Sequence, residues 1–189
     1  MSDAWATLSA AITGCTTCSD LAATRTTVVV GEAPAGVRLA LVGEAPGAQE
    51  DAAGRPFVGR AGGLLETVLA EVGVRRDEIA LLNVLKCRPP ANRPPRPIEA
   101  ANCRPWLHQQ LALVGPAVTV ALGLTATRWF LGRTTTLGAV RGRAHPSPAG
   151  GVVIPTYHPS AALRFGPAGA PLAALRADLK YAVSLLERR

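Results

Sequence analysis

The stretch GEAPGAQEDAAGRPFVG, residues 43 to 59, follows directly on the apolar run RLALV. A glycine-rich loop at the end of a buried strand usually cradles phosphate, through backbone N–H groups and the positive end of the next helix. Here Glu44, Glu50 and Asp51 would repel such an anion, so the loop must serve something else. Its one aromatic, Phe57, offers a face for stacking on a planar ring or for packing into the core. Two further polar groups stand out. Asn83 sits inside the apolar run IALLNVL, where an amide without a partner would be costly, and His158 lies in YHPS. A carboxylate and an imidazole can place charge and move a proton, while a carboxamide can read a donor and an acceptor at once.

The four cysteines form a second group. Cys15 and Cys18 make a CxxC, while Cys87 and Cys103 stand far downstream, separated by fifteen residues. In a chain from a reducing compartment a disulfide framework is the poorer explanation and a metal the better one. Structural zinc ribbons more often show two close pairs, whereas an iron-sulfur cluster tolerates irregular spacing because each corner needs one thiolate. Spacing therefore favours a cluster, with zinc and four unrelated buried thiols left open. Such ligands would tie the N-terminal arm to the proline- and arginine-rich segment KCRPPANRPPRPIEAANCRPWL. Arg88, Arg93, Arg96 and Arg104 would then be held on one surface, as contact with a nucleic-acid backbone requires; a solvated basic loop is the plainer alternative.

Elements must exist to position these groups. Residues 1 to 36 read as an N-terminal helix and an ordered arm. After it, strand-like and helix-like runs alternate. RLALVG, IALLNVL, AVTVALG and GVVIPTYH read as strands; residues 60 to 73, 97 to 113, TATRWFL and the closing PLAALRADLKYAVSLLERR read as helices. That alternation predicts a doubly wound α/β fold, a parallel sheet covered on both faces. Ligands of such folds sit at the carboxyl ends of the strands near the switch point, and GEAPG, Asn83 and HPS all fall at those ends. GEAP also occurs at residues 31 to 34 without the acidic pair or the aromatic, and that copy reads as a turn. Neither copy is a dinucleotide or P-loop motif.

The chain of 189 residues suits one domain spanning residues 1–189. Twenty basic against thirteen acidic residues give +7, and the basic ones are nearly all arginine, which suits bidentate contact with phosphate. A GC-rich genome would also write arginine where lysine could stand. MSDAWATLSAAITGC lacks a basic region followed by an apolar one, so the cytoplasm is the expected compartment. PWLHQQLALVGPAVTVALGLTAT is divided by its glutamines and its Gly-Pro break into pieces too short for a bilayer, and no membrane partner is expected.

GEAPGAQEDAAGRPFVGRAGGLL, NVLKCRPPANR, CRPWL and YHPSAALR, with cysteines in the order CxxC, C, C, together resemble the iron-sulfur uracil-DNA glycosylases, family 4 of that superfamily. The resemblance runs from about Cys15 to the final helix. It implies hydrolysis of the N-glycosidic bond of uracil in DNA, leaving an abasic site, in base excision repair. It also implies a three-layer α/β/α fold around a four-stranded parallel sheet. Cys15, Cys18, Cys87 and Cys103 would hold a structural 4Fe-4S cluster, and the protein would act as a monomer.

On that resemblance the pocket residues take roles. Uracil must be flipped out of the stack, and Phe57 would repay part of that cost by stacking on it. Asn83 would match the ring N–H and a carbonyl of uracil, whereas cytosine presents the opposite pair. Cleavage passes through an oxocarbenium-like state, so Glu44 would stand by the sugar and position or activate water, and His158 would donate to the uracil carbonyl that gains negative charge. Ala45, Gly47, Glu50 and Asp51 complete the substrate-binding set, with Glu50 crowding the 5-methyl of thymine and Asp51 supporting the loop. Ser160 would bind a phosphate. Arg164, or alternatively Leu163, would fill the gap left by the flipped base. A covalent uracil-DNA-binding relative would carry an inserted basic loop with a histidine between the second strand and the last cysteine. Residues Val84 to Cys103 contain neither. A non-catalytic iron-sulfur DNA-binding module is the rival from another class.

Overall fold

The computed structural model describes residues 3–187. Five strands form one sheet: β1 (Leu39–Gly43), β2 (Ile79–Asn83), β3 (Val118–Leu122), β4 (His145–Pro146) and β5 (Val152–Thr156). Their order is β2-β1-β3-β5-β4. The first four in that order are parallel, as the alternation predicts, and the two-residue β4 adds an antiparallel edge that the sequence reading does not contain. His145–Pro146 is too short to show any period, and its pairing with Val152 and Val153 comes from the chain folding back.

Every residue of β1, β2 and β3 is buried, which is why these runs are mostly apolar rather than alternating, Asn83 and Thr119 being the polar exceptions. Helices cover both faces. The helices are α1 (Asp3–Thr13), α2 (Ser19–Thr24), α3 (Ala48–Ala53), α4 (Arg60–Glu71), α5 (Pro97–Val114), α6 (Leu124–Leu131), α7 (Leu137–Val140), α8 (Pro159–Phe165) and α9 (Ala170–Glu187). Leu39, Leu41 and Leu81 point toward α4, α8 and α9, where they meet Leu65, Ala162 and Leu175. Their neighbours Ala40, Val42, Ala80 and Leu82 point the other way, toward Trp5 of α1, Leu107 and Leu111 of α5 and Trp129 of α6. No helix among the described residues is long and apolar enough to cross a membrane.

The first GEAP copy does more than turn the chain. Glu32 forms an antiparallel bridge with Leu81 on the open edge of β2, with hydrogen bonds of 2.9 and 2.7 Å in the two directions. Its carboxylate holds Arg55 at 2.7 Å and Arg76 at 2.8 Å. The arm continues along β2, where Val29 N–H donates to the Lys86 carbonyl. These contacts join residues more than twenty positions apart, beyond what local pattern can show.

Candidate active site

The strand order places the switch point between β1 and β3, because the chain moves from β1 to β2 on one side and then crosses to β3 on the other. A pocket of about 410 Å³ opens there. Its walls include Glu44, Ala45, Gly47, Glu50, Phe57, Asn83, His158, Ser160 and Arg164 from the expected set. Asp51, placed in the substrate-binding set by resemblance, and Leu163 do not line it.

Glu44 follows β1 directly, and its carboxylate accepts a hydrogen bond from the Thr125 hydroxyl of α6, across the switch point. The other carboxylate oxygen has no partner among the described residues. Backbone pairing continues past the strand ends, with Leu85 N–H donating to the Glu44 carbonyl at 3.0 Å, so Glu44 and Asn83 are held on one frame.

The loop's other acids have different duties. Glu50 accepts from the backbone N–H groups of Gly47 at 3.1 Å, Val58 at 3.0 Å and Gly59 at 2.8 Å, closing the loop on itself and meeting the positive start of α4. Asp51 is 2% exposed and accepts from Thr26 N–H and Thr27 N–H, fastening the N-terminal arm to the back of the loop. The opening puzzle of three carboxylates thus resolves into one that faces the pocket with an unoccupied oxygen and two that organise backbone.

Asn83 ends β2 at 4% exposure, and its carboxamide makes no hydrogen bond among the described residues. The amide faces the pocket, so its donor and acceptor are open to water or a ligand there. Gly43, its partner in register across β1, makes room for it: a Cβ there would collide with the Asn83 side chain and lie 2.7 Å from Phe57 Cζ. Phe57 is 6% exposed with φ of 52°, and its ring stacks on His158 with centroids 6.2 Å apart.

His158 caps the N-terminus of α8. Ser160 N–H donates to its Nδ1 at 3.1 Å, and the Ser160 hydroxyl lies 2.8 Å from the same atom. A backbone N–H can only donate, so Nδ1 is an acceptor and the proton of the neutral ring sits on Nε2. Burial lowers the pKa of this ring to about 4, against a weaker opposing pull from Glu50. The imidazole is therefore neutral at every pH well above that value. We expect any reaction rate that depends on this ring to show no inflection near the ordinary histidine value of about 6.5. NMR titration should show one ring resisting protonation through that range, and a His158 pKa near 6.5 would contradict the assignment.

The arginine-rich segment is more internally occupied than expected. Arg93 reaches the pocket wall but is held by the buried Glu99 at 2.6 Å, Arg96 pairs with Asp20 at 3.0 Å, and Arg104 lies over the Trp129 ring at 4.6 Å. Arg88 donates to the Asn92 side chain at 2.7 Å. Arg164 of α8 has no such partner among the described residues and lines the pocket.

Cys15, Cys18, Cys87 and Cys103 all line one separate cavity between the arm, the end of β2 and α5. No three metal-binding side chains among the described residues are grouped closely enough for a single ion. The surroundings suit a larger anionic group. Arg25 Nη1 lies 3.0 Å from Cys87 Sγ, and Asn102 Nδ2 lies 3.6 Å from Cys18 Sγ. Lys86 is buried, donates to the Asn83 carbonyl at 2.7 Å, and has no carboxylate partner among the described residues. Burial lowers its pKa to about 8, with only the Cys103 and Cys87 thiols opposing, so a charged lysine here calls for negative charge on the sulfurs.

Sequence reasoning missed Thr125, Glu32 and Arg76; the Thr125–Glu44 and Glu32–Arg76 contacts join distant parts of the chain.

Comparison with known proteins places the chain in a family. The family model of the uracil DNA glycosylase superfamily matches residues 30–180. A type-4 uracil-DNA glycosylase of Thermotoga maritima is 49% identical over 151 residues, covering 79% of this chain and 78% of that protein. The type-4 enzyme of Pyrobaculum aerophilum is 44% identical over 74% of this chain and 75% of its own length, and that of Archaeoglobus fulgidus is 42% identical over 80% and 79%. With a match covering most of the sheet and its strand-end loops, the chain belongs to the uracil DNA glycosylase superfamily.

Proposed function

We propose that the protein removes uracil from DNA by hydrolysing its N-glycosidic bond, as a monofunctional type-4 enzyme of base excision repair. The observation that carries this is the convergence of Glu44, Asn83 and His158 at the switch point, with one carboxylate oxygen and one carboxamide left without protein partners. A DNA-binding module would have no use for an amide kept free of protein partners inside a pocket.

Each residue has a task that follows from its surroundings. The flipped base enters beside Phe57, and Asn83 offers a donor and an acceptor to the uracil edge. Beside Ala45 and Gly47, Glu50 would crowd a 5-methyl group, a task its carboxylate can serve because three backbone N–H groups hold it still. As the glycosidic bond breaks, the base gains negative charge, and the Nε2–H of neutral His158 stabilises it. The sugar gains positive charge, and Glu44, oriented by Thr125, stabilises that charge and directs water to it. Ser160 fixes the His158 tautomer from one side while facing the phosphate backbone from the other. Arg164 fills the vacated stack.

Cys15, Cys18, Cys87 and Cys103 would hold a 4Fe-4S cluster, supported by their shared cavity, the two N–H groups aimed at sulfur and the buried charge of Lys86. When bound, the cluster supplies metal–thiolate bonds that fasten the arm, residues 1–36, to the 87–103 segment within one domain. We expect Cys103→Ser to lose the brown colour and visible absorption of the purified protein and to lower its melting temperature. An unchanged spectrum would remove Cys103 from the ligand set. The same proposal makes the protein a cytoplasmic monomer, with the thiols kept reduced for the cluster.

Release of more than one equivalent of free uracil per protein, without a DNA adduct that survives denaturation, tests turnover. A stable stoichiometric adduct would instead favour a covalent uracil-DNA-binding protein.

A further inference from the structure

Phe57 holds a backbone conformation that phenylalanine rarely adopts, with φ of 52°. Such a residue persists only where its surroundings over-determine it. Two features do so here. The Phe57 backbone packs against Gly62 of α4 so closely that any Cβ at Gly62 would overlap it. On the other side, one guanidinium grips the turn: Arg76 Nη2 donates to the Pro56 carbonyl at 2.5 Å and Arg76 Nη1 to the Phe57 carbonyl at 3.1 Å.

The guanidinium is itself fixed. Its Nε donates to Glu32 at 2.9 Å and its Nη1 to Glu66 of α4 at 3.0 Å, so two carboxylates from different parts of the chain aim it at the two carbonyls. Arg76 side-chain exposure is 19%, and the guanidinium does not line the pocket: it meets the pocket wall only through the backbone of Phe57. The geometry points to Arg76 as the positioning residue that sets the plane of the Phe57 ring for stacking on the flipped base, with Glu32 as its orienter. This rests on the stacking role given to Phe57 above.

The planar fork is what the task needs. Four acceptors lie around one side chain, and a guanidinium can meet them simultaneously with fixed directions, whereas a lysine ammonium is a point charge with a flexible stem. The repeated GEAP thereby acquires a use, because its glutamate reaches the pocket's aromatic through Arg76.

A double-mutant cycle tests the assignment, with kcat/KM measured on a single-stranded uracil oligonucleotide and inhibition by free uracil measured alongside. Phe57→Ala and Arg76→Met are each expected to lower kcat/KM by about tenfold or more and to weaken uracil inhibition. If Arg76 acts through the ring, the double variant should be no worse than Phe57→Ala within about twofold. Arg76→Lys should recover little. Should Arg76→Met fail to fold, Glu32→Gln, which keeps the guanidinium but removes a charged partner, should give the same non-additivity with a smaller loss. Losses that multiply in the double variant would overturn the assignment and leave Arg76 a general stabiliser. An undamaged Phe57→Ala would overturn the stacking role itself, and with it the need for a positioning residue.

Discussion

Glu44→Gln is expected to lower the single-turnover excision rate by about 10²- to 10⁴-fold, the range of a positioned acid–base group, while DNA affinity changes little. The substitution is close to isosteric, and a glutamine oxygen can still accept from the Thr125 hydroxyl, so the pocket keeps its shape. What it loses is the negative charge beside a sugar that becomes cationic. Excision kinetics on an end-labelled uracil oligonucleotide, with binding followed by anisotropy on the same sequence, separate the two quantities. Equal losses in rate and affinity would mean that Glu44 only shapes the site.

Asn83→Ala should act in two opposite directions. Removing the carboxamide takes away the hydrogen bonds that read uracil, and loss of one such preorganised group costs about 10²- to 10³-fold in rate. A site built on such bonds can reject a mismatched base by about 10⁴-fold, so the preference for uracil over cytosine should shrink as well. Stability should not fall. The side chain has no hydrogen-bond partner among the described residues and its amide faces the pocket, so deleting it breaks no internal hydrogen bond. A variant that melts no lower than the parent yet excises far more slowly would show a residue kept for function at the expense of stability. A large drop in melting temperature, with activity per folded molecule unchanged, would make Asn83 a structural residue.

The parallel sheet was legible because β1, β2 and β3 are buried on both faces and therefore read as mainly apolar runs, interrupted only by Asn83 and Thr119. The position of the site followed from the same pattern, since residues that do not belong in a buried strand, such as Asn83, stand out at its end. The roles of the loop acids were not legible. Glu44, Glu50 and Asp51 lie within eight positions of one another and have the same chemistry, yet one faces the pocket, one closes the loop and one anchors an arm that arrives from residues 26 and 27. Composition cannot distinguish these, because the choice is made by which backbone N–H groups the tertiary fold brings near. The arginines behave alike: Arg93 and Arg96 read as a basic surface but are held by Glu99 and Asp20, whereas Arg76, in an unremarked stretch before β2, grips the turn at Phe57. The short β4 escaped notice for a simpler reason, two residues being too few to carry a period.

The most direct measurement is strand cleavage. Purified protein is incubated with an end-labelled oligonucleotide carrying one uracil, then treated with alkali and run on a denaturing gel beside a thymine control. The account predicts breakage at uracil over many turnovers and none at thymine. No breakage by folded, cluster-bearing protein would contradict the central claim that this pocket excises uracil.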